Sequence, residues 1–338
     1  MQRISSGFVE QGVKVSVAGF GPHRLGSEEP IDLGDTPSAA PSERLLAVAI
    51  PRLARAIRAV RPDIVNAHYV SSYGLMAALA VRLAQPLSRQ VRLVQTAWGT
   101  DLLVTARESA TRRAIASLAL REAALITGDS LDLAAAAREL APNVPFHRFI
   151  FGPPESLLSA ARRSERRIIS SRRLDPDTRI EAIVEAFDLA KASQPVKTDG
   201  WRLTVAGDGI RRDLIEELCE KTRDVDFVGS LRTAELHELL LRSDIFVSVP
   251  VSDATSAALL EAIAAGVQPV VNDLPANREW VDPTIGVVTS RDPSRDELAN
   301  GLLLATQRSI ETGELRNRVA DVTWEREIAS LVSRLGSV

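Results

Sequence analysis

The sequence predicts an α/β protein built from two doubly wound halves. Three observations lead there. Short β-branched runs alternate with longer helical patterns, as parallel βαβ units require. The chain has 338 residues, beyond the roughly 250–300 at which a single hydrophobic core stops growing. Its charge is unevenly divided, with net +4 over residues 1–150 and −7 over the remainder.

The elements follow in order. Residues 1–11 read as a helix with Ile4, Phe8 and Val9 on one face, ended by Gly12. Strand-like runs in the first half are Val13–Ala18, Asp63–Asn66, Arg92–Gln95, Ala124–Thr127 and Val144–Ile150. In the second half they are Arg167–Ser170, Arg202–Val205, Val225–Val228, Ile245–Val249 and Val267–Val271. Helical patterns lie between them, among them Glu43–Val60, Ile180–Ala192, Arg211–Cys219, Glu235–Leu241 and Ala257–Ala264. Strands this apolar are covered on both faces. These patterns predict a first domain over 1–150, a linker over 151–166 and a second domain over 167–338, whose final helix is free to pack back on the first. A helix feeding a parallel strand is the second half of a right-handed crossover, whose own first strand should precede it. That central strand, with its Gly-rich phosphate turn, is missing from the pattern. The expectation is a truncated start or a first sheet closed in another way.

Composition narrows the class. Hydrophobic residues at 45% and charged residues at 25% fit a soluble globular protein. Forty-one basic against forty-four acidic residues argue against nucleic acid as a partner. The single cysteine, Cys219, excludes a disulfide framework or a cysteine zinc cluster and suits the cytoplasm. No run reaches the roughly 18 apolar residues of a membrane span, and no secretory core opens the chain. Arg52, Arg55, Arg58 and Arg61 recur every three residues; they read first as a solvated helix face, with peripheral contact to an anionic membrane as the alternative. The arginines of 162–173 read as a solvated linker, with Arg173 directly after a strand.

Ligands of open α/β sheets bind beyond the C-terminal strand ends. Those ends carry His68 and Tyr69, then Trp98 to Asp101, then Arg172 and Arg173, Gly207 to Gly209, Gly229 and Ser230, and Ser252 to Ser256. Facing halves would bring these groups to one cleft, although polar residues after strands also serve as ordinary helix caps. The sharpest segment runs from Asp253 to Gly266. Its helix is apolar nearly all round, so Glu261 within it needs a partner. Ribose hydroxyls are one answer and an internal salt bridge is the other. Small Ala257 and Ala258 leave the helix start open to a diphosphate. His68 reads equally as a buried structural histidine.

Taken together, RIISSRRLDPDTRIEAIVEAF, LTVAGDG, VDFVGSL, SDIFVSVPVSDATSAALLEAIAAGVQPVV and DLPANREWV resemble the donor half of a GT-B glycosyltransferase of glycosyltransferase family 4. PDIVNAHYVSSYGL, TAWGTDLL and ALITGDS resemble its acceptor half. The resemblance implies a retaining, metal-independent enzyme without cofactor that uses a nucleotide diphospho-sugar, a UDP- or GDP-sugar, as donor. It gives Glu261 the ribose and Asp253, shorter by a methylene than the family's glutamate, the sugar. It places the Thr255–Ser256–Ala257 backbone against sugar and diphosphate and Arg173 on the diphosphate. The family's partner lysine is replaced by Thr178, with Arg179 next door as a substitute. Gly229, Ser230 and Leu231 fall beside the base, and Gly207 in the donor loop. His68, Tyr69, Trp98 (where the family usually has histidine) and Asp101 fall on the acceptor side. Asp253, Glu261, Arg173, His68 and Asp101 form the candidate catalytic set.

The implied reaction is front-face transfer to a hydroxyl of a saccharide or lipid-linked acceptor, in synthesis of a cell-surface polysaccharide or glycolipid. The alternative is an impaired relative that binds a sugar nucleotide or serves as a partner subunit; Thr178, Trp98 and the absent first strand favour it.

Overall fold

A computed structural model describes residues 2–20, 31–34, 43–85 and 91–337. The chain forms two compact units, Met1–Ile150 with Glu325–Val338, and Phe151–Trp324.

In the first unit, helix α1 (Gln2–Glu10) buries Ile4 and Phe8. Val9 is 59% exposed, because one residue turns the helix by about 100° from Phe8. The strand expected over Val13–Ala18 exists only as β1 (Ala18–Gly19), paired in parallel with β2 (Ile31–Asp32). Among the described residues, 13–16 lie outside that ladder and Val17 joins it only through its carbonyl, which accepts the Ile31 N–H at 2.7 Å: apolar alternation makes a strand only where a neighbour shares its hydrogen bonds. Phe20 and Leu33 nevertheless enter the core beside Leu53, Ile57 and Met76.

The main sheet of this unit is parallel, ordered β3 (Ile64–His68), β4 (Arg92–Thr96), β5 (Leu125–Gly128) and β6 (Phe146–Arg148). Among the described residues it shares no ladder with the β1–β2 ribbon. Its helices are α2 (Glu43–Val60), α3 (Leu75–Ala84), the short α4 (Ala106–Glu108), α5 (Ala110–Arg121) and α6 (Leu131–Leu140). The arginine stripe on α2 is partly committed to backbone. Arg52 donates to the Leu33 carbonyl at 3.0 Å, Arg55 to that of Pro51 at 3.2 Å, and Arg58 to that of Leu83.

The second unit begins at Phe151. The stretch read as a solvated linker contains helix α7 (Glu155–Ser159), and Arg162 pairs with Asp244 at 2.8 Å. Gly152 runs so close to Val322 that a Cβ would lie 1.7 Å from its carbonyl oxygen. These contacts, set by residues more than 80 positions away, give the segment a packed role that local composition hides.

The second sheet is parallel throughout. Its strands are β7 (Arg167–Ser171), β8 (Arg202–Ala206), β9 (Val225–Gly229), β10 (Ile245–Ser248), β11 (Gln268–Asn272) and β12 (Val287–Thr289), in the order β12-β11-β10-β7-β8-β9. Helices α8 (Ile180–Ser193), α9 (Arg212–Lys221), α10 (Thr233–Leu241), α11 (Ala257–Ala264), α12 (Pro275–Arg278), α13 (Arg295–Thr306) and α14 (Thr312–Val319) complete it. Phe187, Ile183, Ile215, Val247 and Leu302 meet in its core. Strand order reverses between β7 and β10, the two central neighbours, which makes their C-terminal ends the switch point of a Rossmann-like fold. The closing helix α15 (Trp324–Gly336) belongs to the first unit from Glu325 onward, and its Glu327 carboxylate accepts the Ile150 N–H at 2.8 Å.

Candidate functional site

The switch point of the second unit gathers a compact polar group. Beyond β7 the Arg172 guanidinium donates to Ser256 Oγ at 2.6 Å and pairs with Asp253 at 2.7 Å. Ser256 also caps α11, its Oγ accepting the Leu259 N–H at 3.3 Å. With two donors already on that oxygen, its own proton is left to point elsewhere. Burial pushes the Asp253 carboxyl above its ordinary value, while Arg172 pulls the other way. An arginine, a carboxylate and a capping hydroxyl thus meet at the positive end of a buried helix.

Thr255 is buried beside them and Ala257 half-buried. One turn into α11, Glu261 is 9% exposed, with its Oε1 3.7 Å from Nε2 of His237 on α10. The glycines shape the neighbouring wall. Gly207, at φ +151°, donates to the Gly229 carbonyl at 2.8 Å, and a Cβ on it would lie 1.9 Å from the Arg172 carbonyl oxygen. Gly229 turns at φ +64°, leaving Ser230 exposed and Leu231 half-buried.

Of the two adjacent arginines after β7, Arg172 makes the contacts to Ser256 and Asp253, and successive side chains after a strand diverge. Arg173 is 75% exposed and pairs with Asp175 of its own loop at 2.8 Å. Thr178 is buried, its hydroxyl 2.8 Å from the Arg173 carbonyl and 2.7 Å from that of Asp175. Arg179 starts α8 in a left-handed conformation, φ 56°, and its guanidinium is held by Asp292 and the Arg291 carbonyl.

In the first unit the residues singled out do come together. His68 ends β3, and its ring stacks on Trp98 with centroids 5.9 Å apart; Tyr69 lies 6.1 Å from the same indole. Tyr69 takes φ 67°, a strained conformation for a bulky residue, and is half exposed. Asp101 is 4% exposed and ties two strand ends together, accepting the Val70 N–H at 2.7 Å and the Trp98 N–H at 3.0 Å. Burial raises its carboxyl to about 7. Burial likewise lowers His68 to about 4, and its Nδ1 has no hydrogen-bond partner. Beneath them Thr96 Oγ1 lies 2.8 Å from both Asn66 Oδ1 and Thr127 Oγ1, a polar rung across β3, β4 and β5. Among the described residues no cluster of three or more His, Cys, Asp or Glu side chains is placed to hold a metal ion, and no helix is long and apolar enough to cross a membrane.

Residues 159–321 match the family model of glycosyl transferases group 1, and residues 1–130 that of glycosyl transferase 4-like proteins. The chain belongs to the GT-B glycosyltransferases. Solved structures agree in fold. Sucrose-phosphate synthase from Thermosynechococcus elongatus aligns at TM-score 0.75 and 15% identity, over 99% of this chain and 91% of that one. HepE from Anabaena, solved with UDP, aligns at 0.68 and 17%, over 92% and 87%. A TarM mutant from S. aureus, in complex with fondaparinux, alpha-GlcNAc-glycerol and UDP, aligns at 0.67 and 12%, over 85% and 58%. The chain therefore spans less than two thirds of the TarM chain. No curated protein matches it.

In the second unit the sequence motifs placed Arg172 at a strand end without giving it a role, and passed over His237. Arg172 stood in plain view at a strand end, but its neighbour fitted the family pattern better. His237 left a fainter signal, a polar residue three positions before the fully buried Leu240 and thus on the inward side of α10.

Proposed function

We propose that the second unit binds a nucleotide diphospho-sugar, a UDP- or GDP-sugar, at the β7/β10 switch point, and that the protein transfers the sugar with retention to an acceptor hydroxyl. The observation that carries this reading is the Arg172–Asp253–Ser256 group at the start of the helix that bears Glu261. Each residue has a task. The free N–H groups of α11 and the Ser256 hydroxyl face the diphosphate. Arg173 supplies the mobile charge: an exposed pair such as its bond to Asp175 is worth at most about 1 kcal/mol and is easily exchanged for phosphate. Arg172 fixes Asp253, which accepts hydroxyls of the sugar, and Glu261 accepts those of the ribose. In the first unit the Tyr69–Trp98 rings and His68 serve the acceptor, a saccharide or lipid-linked saccharide, while Asp101 holds their loops.

The acceptor oxygen attacks the anomeric carbon on the face that the diphosphate leaves. The sugar–phosphate bond breaks, and the acceptor proton passes to the departing phosphate oxygen. The protein acts by positioning and by stabilising charge on that leaving group. The resemblance extends the reading to cytoplasmic synthesis of a cell-surface polysaccharide or glycolipid, without a metal.

Calorimetry of the purified chain with UDP- and GDP-sugars, followed by donor hydrolysis assays, tests this. Binding that Glu261→Gln weakens about tenfold or more, with the fold retained, is the expected result; unchanged binding refutes the ribose role. A second reading has its own support. Thr178 is consumed by loop carbonyls and Arg179 by Asp292, leaving the diphosphate one cation fewer than the family pattern provides. Binding without turnover selects that reading, a sugar-nucleotide binder or partner subunit.

A further inference from the structure

We propose that the acceptor is an uncharged pyranose whose apolar face stacks on the Tyr69 and Trp98 rings, rather than a sugar phosphate; this rests on the transferase reading above. The first unit presents these rings on two loops, residues 68–74 at the end of β3 and 96–105 at the end of β4. Neither loop contains a lysine or an arginine. Their one acid, Asp101, is turned inward, its carboxylate accepting the Val70 and Trp98 N–H groups. What the loops offer instead is aromatic rings and hydroxyls, among them Ser71, Ser72 and Thr100, none of which is buried.

The rings are held for contact. Tyr69 adopts φ 67°, a conformation that a bulky residue takes only at a cost and that glycine would take freely. Its N–H donates to the Thr96 carbonyl at 3.2 Å and its carbonyl accepts the Gly74 N–H at 2.9 Å, so the strained backbone is pinned. Strain fixed in this way gathers at ligand sites. Both loops also make a wide π-type turn, at Val70–Gly74 and Thr100–Thr105, a rare form that is frequent at functional sites. The outcome is a tyrosine 48% exposed, its ring tilted by 35° to that of Trp98. A core tyrosine would be covered, and an ordinary surface one needs no strained backbone. The face of an aromatic ring carries negative charge density and attracts the C–H groups that a pyranose chair gathers on one side. A phosphate would be repelled by that face and would meet no cation in either loop. His68, stacked on Trp98, adds no charge, because burial keeps its imidazole neutral. A ring with an apolar face and hydroxyls around its rim matches both parts of the surface.

The test is saturation-transfer NMR on the full chain with methyl β-glucoside, methyl β-galactoside, methyl α-mannoside and glucose 6-phosphate, each with and without UDP. At least one methyl glycoside should bind, with transfer strongest at the C–H protons of one face. Glucose 6-phosphate should bind no more tightly than methyl β-glucoside. Tyr69→Ala should weaken the bound glycoside about 3–10-fold, the worth of one stacked ring. Tyr69→Phe, which keeps the ring and loses the hydroxyl, should bind like wild type, both variants being checked for a retained fold. Binding by none of the glycosides, tighter binding of glucose 6-phosphate, or equal binding by wild type and Tyr69→Ala overturns the inference. Calorimetry with UDP and GDP on the same samples separates the two levels. Nucleotide binding that persists leaves the transferase reading standing when the stacking fails, and its absence from the wild-type chain removes that reading as well.

Discussion

Removing the Arg172 guanidinium, by Arg172→Ala, should destabilise the second unit in a pH-dependent way. The side chain makes two contacts, 2.6 Å to Ser256 Oγ and 2.7 Å to Asp253, and both members of the ion pair are about one-fifth exposed or less. The Ser256 contact is a single hydrogen bond, worth about 1 kcal/mol whatever the pH. Asp253 is different. Burial already holds its carboxyl above the ordinary value, and Arg172 is the main opposing influence. Without Arg172 the folded-state value rises further, so folding disfavours the charged form more strongly. That cost is absent below the unfolded carboxylate value near 4 and grows as pH rises through the folded one. At pH 7 the total should reach about 2–3 kcal/mol, and near pH 4 about 1 kcal/mol. For a unit of this size, each kcal/mol lowers the melting temperature by about 2–4 °C. Scanning calorimetry should therefore find a drop of about 4–12 °C at pH 7 and only about 2–4 °C near pH 4. Arg173→Ala, which cuts an exposed pair worth at most about 1 kcal/mol, should lose no more than about 2–4 °C at either pH. Equal losses for Arg172→Ala at the two pH values, or a larger loss for Arg173→Ala, would refute the reasoning.

Other outcomes follow from the same geometry. Carbon-detected NMR should place the Asp101 carboxyl midpoint near 7; because the folded value is raised, its contribution to stability is full below about 4 and fades as pH climbs to 7. A midpoint under 5 would show that water reaches the carboxyl. The His68 imidazole should stay neutral down to about pH 5, its folded value being lowered to about 4, and ring-proton shifts that move between pH 6 and 7 would contradict its burial. Gly207→Ala should cost more than about 2 kcal/mol in chemical denaturation, because the added methyl would lie 1.9 Å from the Arg172 carbonyl oxygen in a conformation that L residues avoid. A smaller cost would mean that this loop yields easily.

The sequence by itself determined the periodic and local features of this protein. Alternation of apolar runs located β3 to β5 and every strand of the second sheet to within a residue or two, except the edge strand β12 (Val287–Thr289), because parallel strands buried on both faces must be apolar. The ordered motifs from Arg167 to Gly266 carried the family, since helix starts and glycine turns at strand ends are local chemistry. Three things waited for the tertiary structure. Residues 13–17 have a strand pattern yet, among the described residues, take part in no ladder beyond the Val17 carbonyl that accepts the Ile31 N–H, for pairing depends on a neighbour distant in sequence. Arg162 sits among arginines that look solvated, but Asp244 claims it from 82 positions away. That Arg172 reaches Asp253 and Ser256 turned on which way its side chain leaves the end of β7, and Glu261 met His237 only because α10 and α11 pack together. Composition and periodicity report what a residue requires of its surroundings; which partner meets that requirement is fixed by contacts across the fold, and those the linear order of residues does not contain.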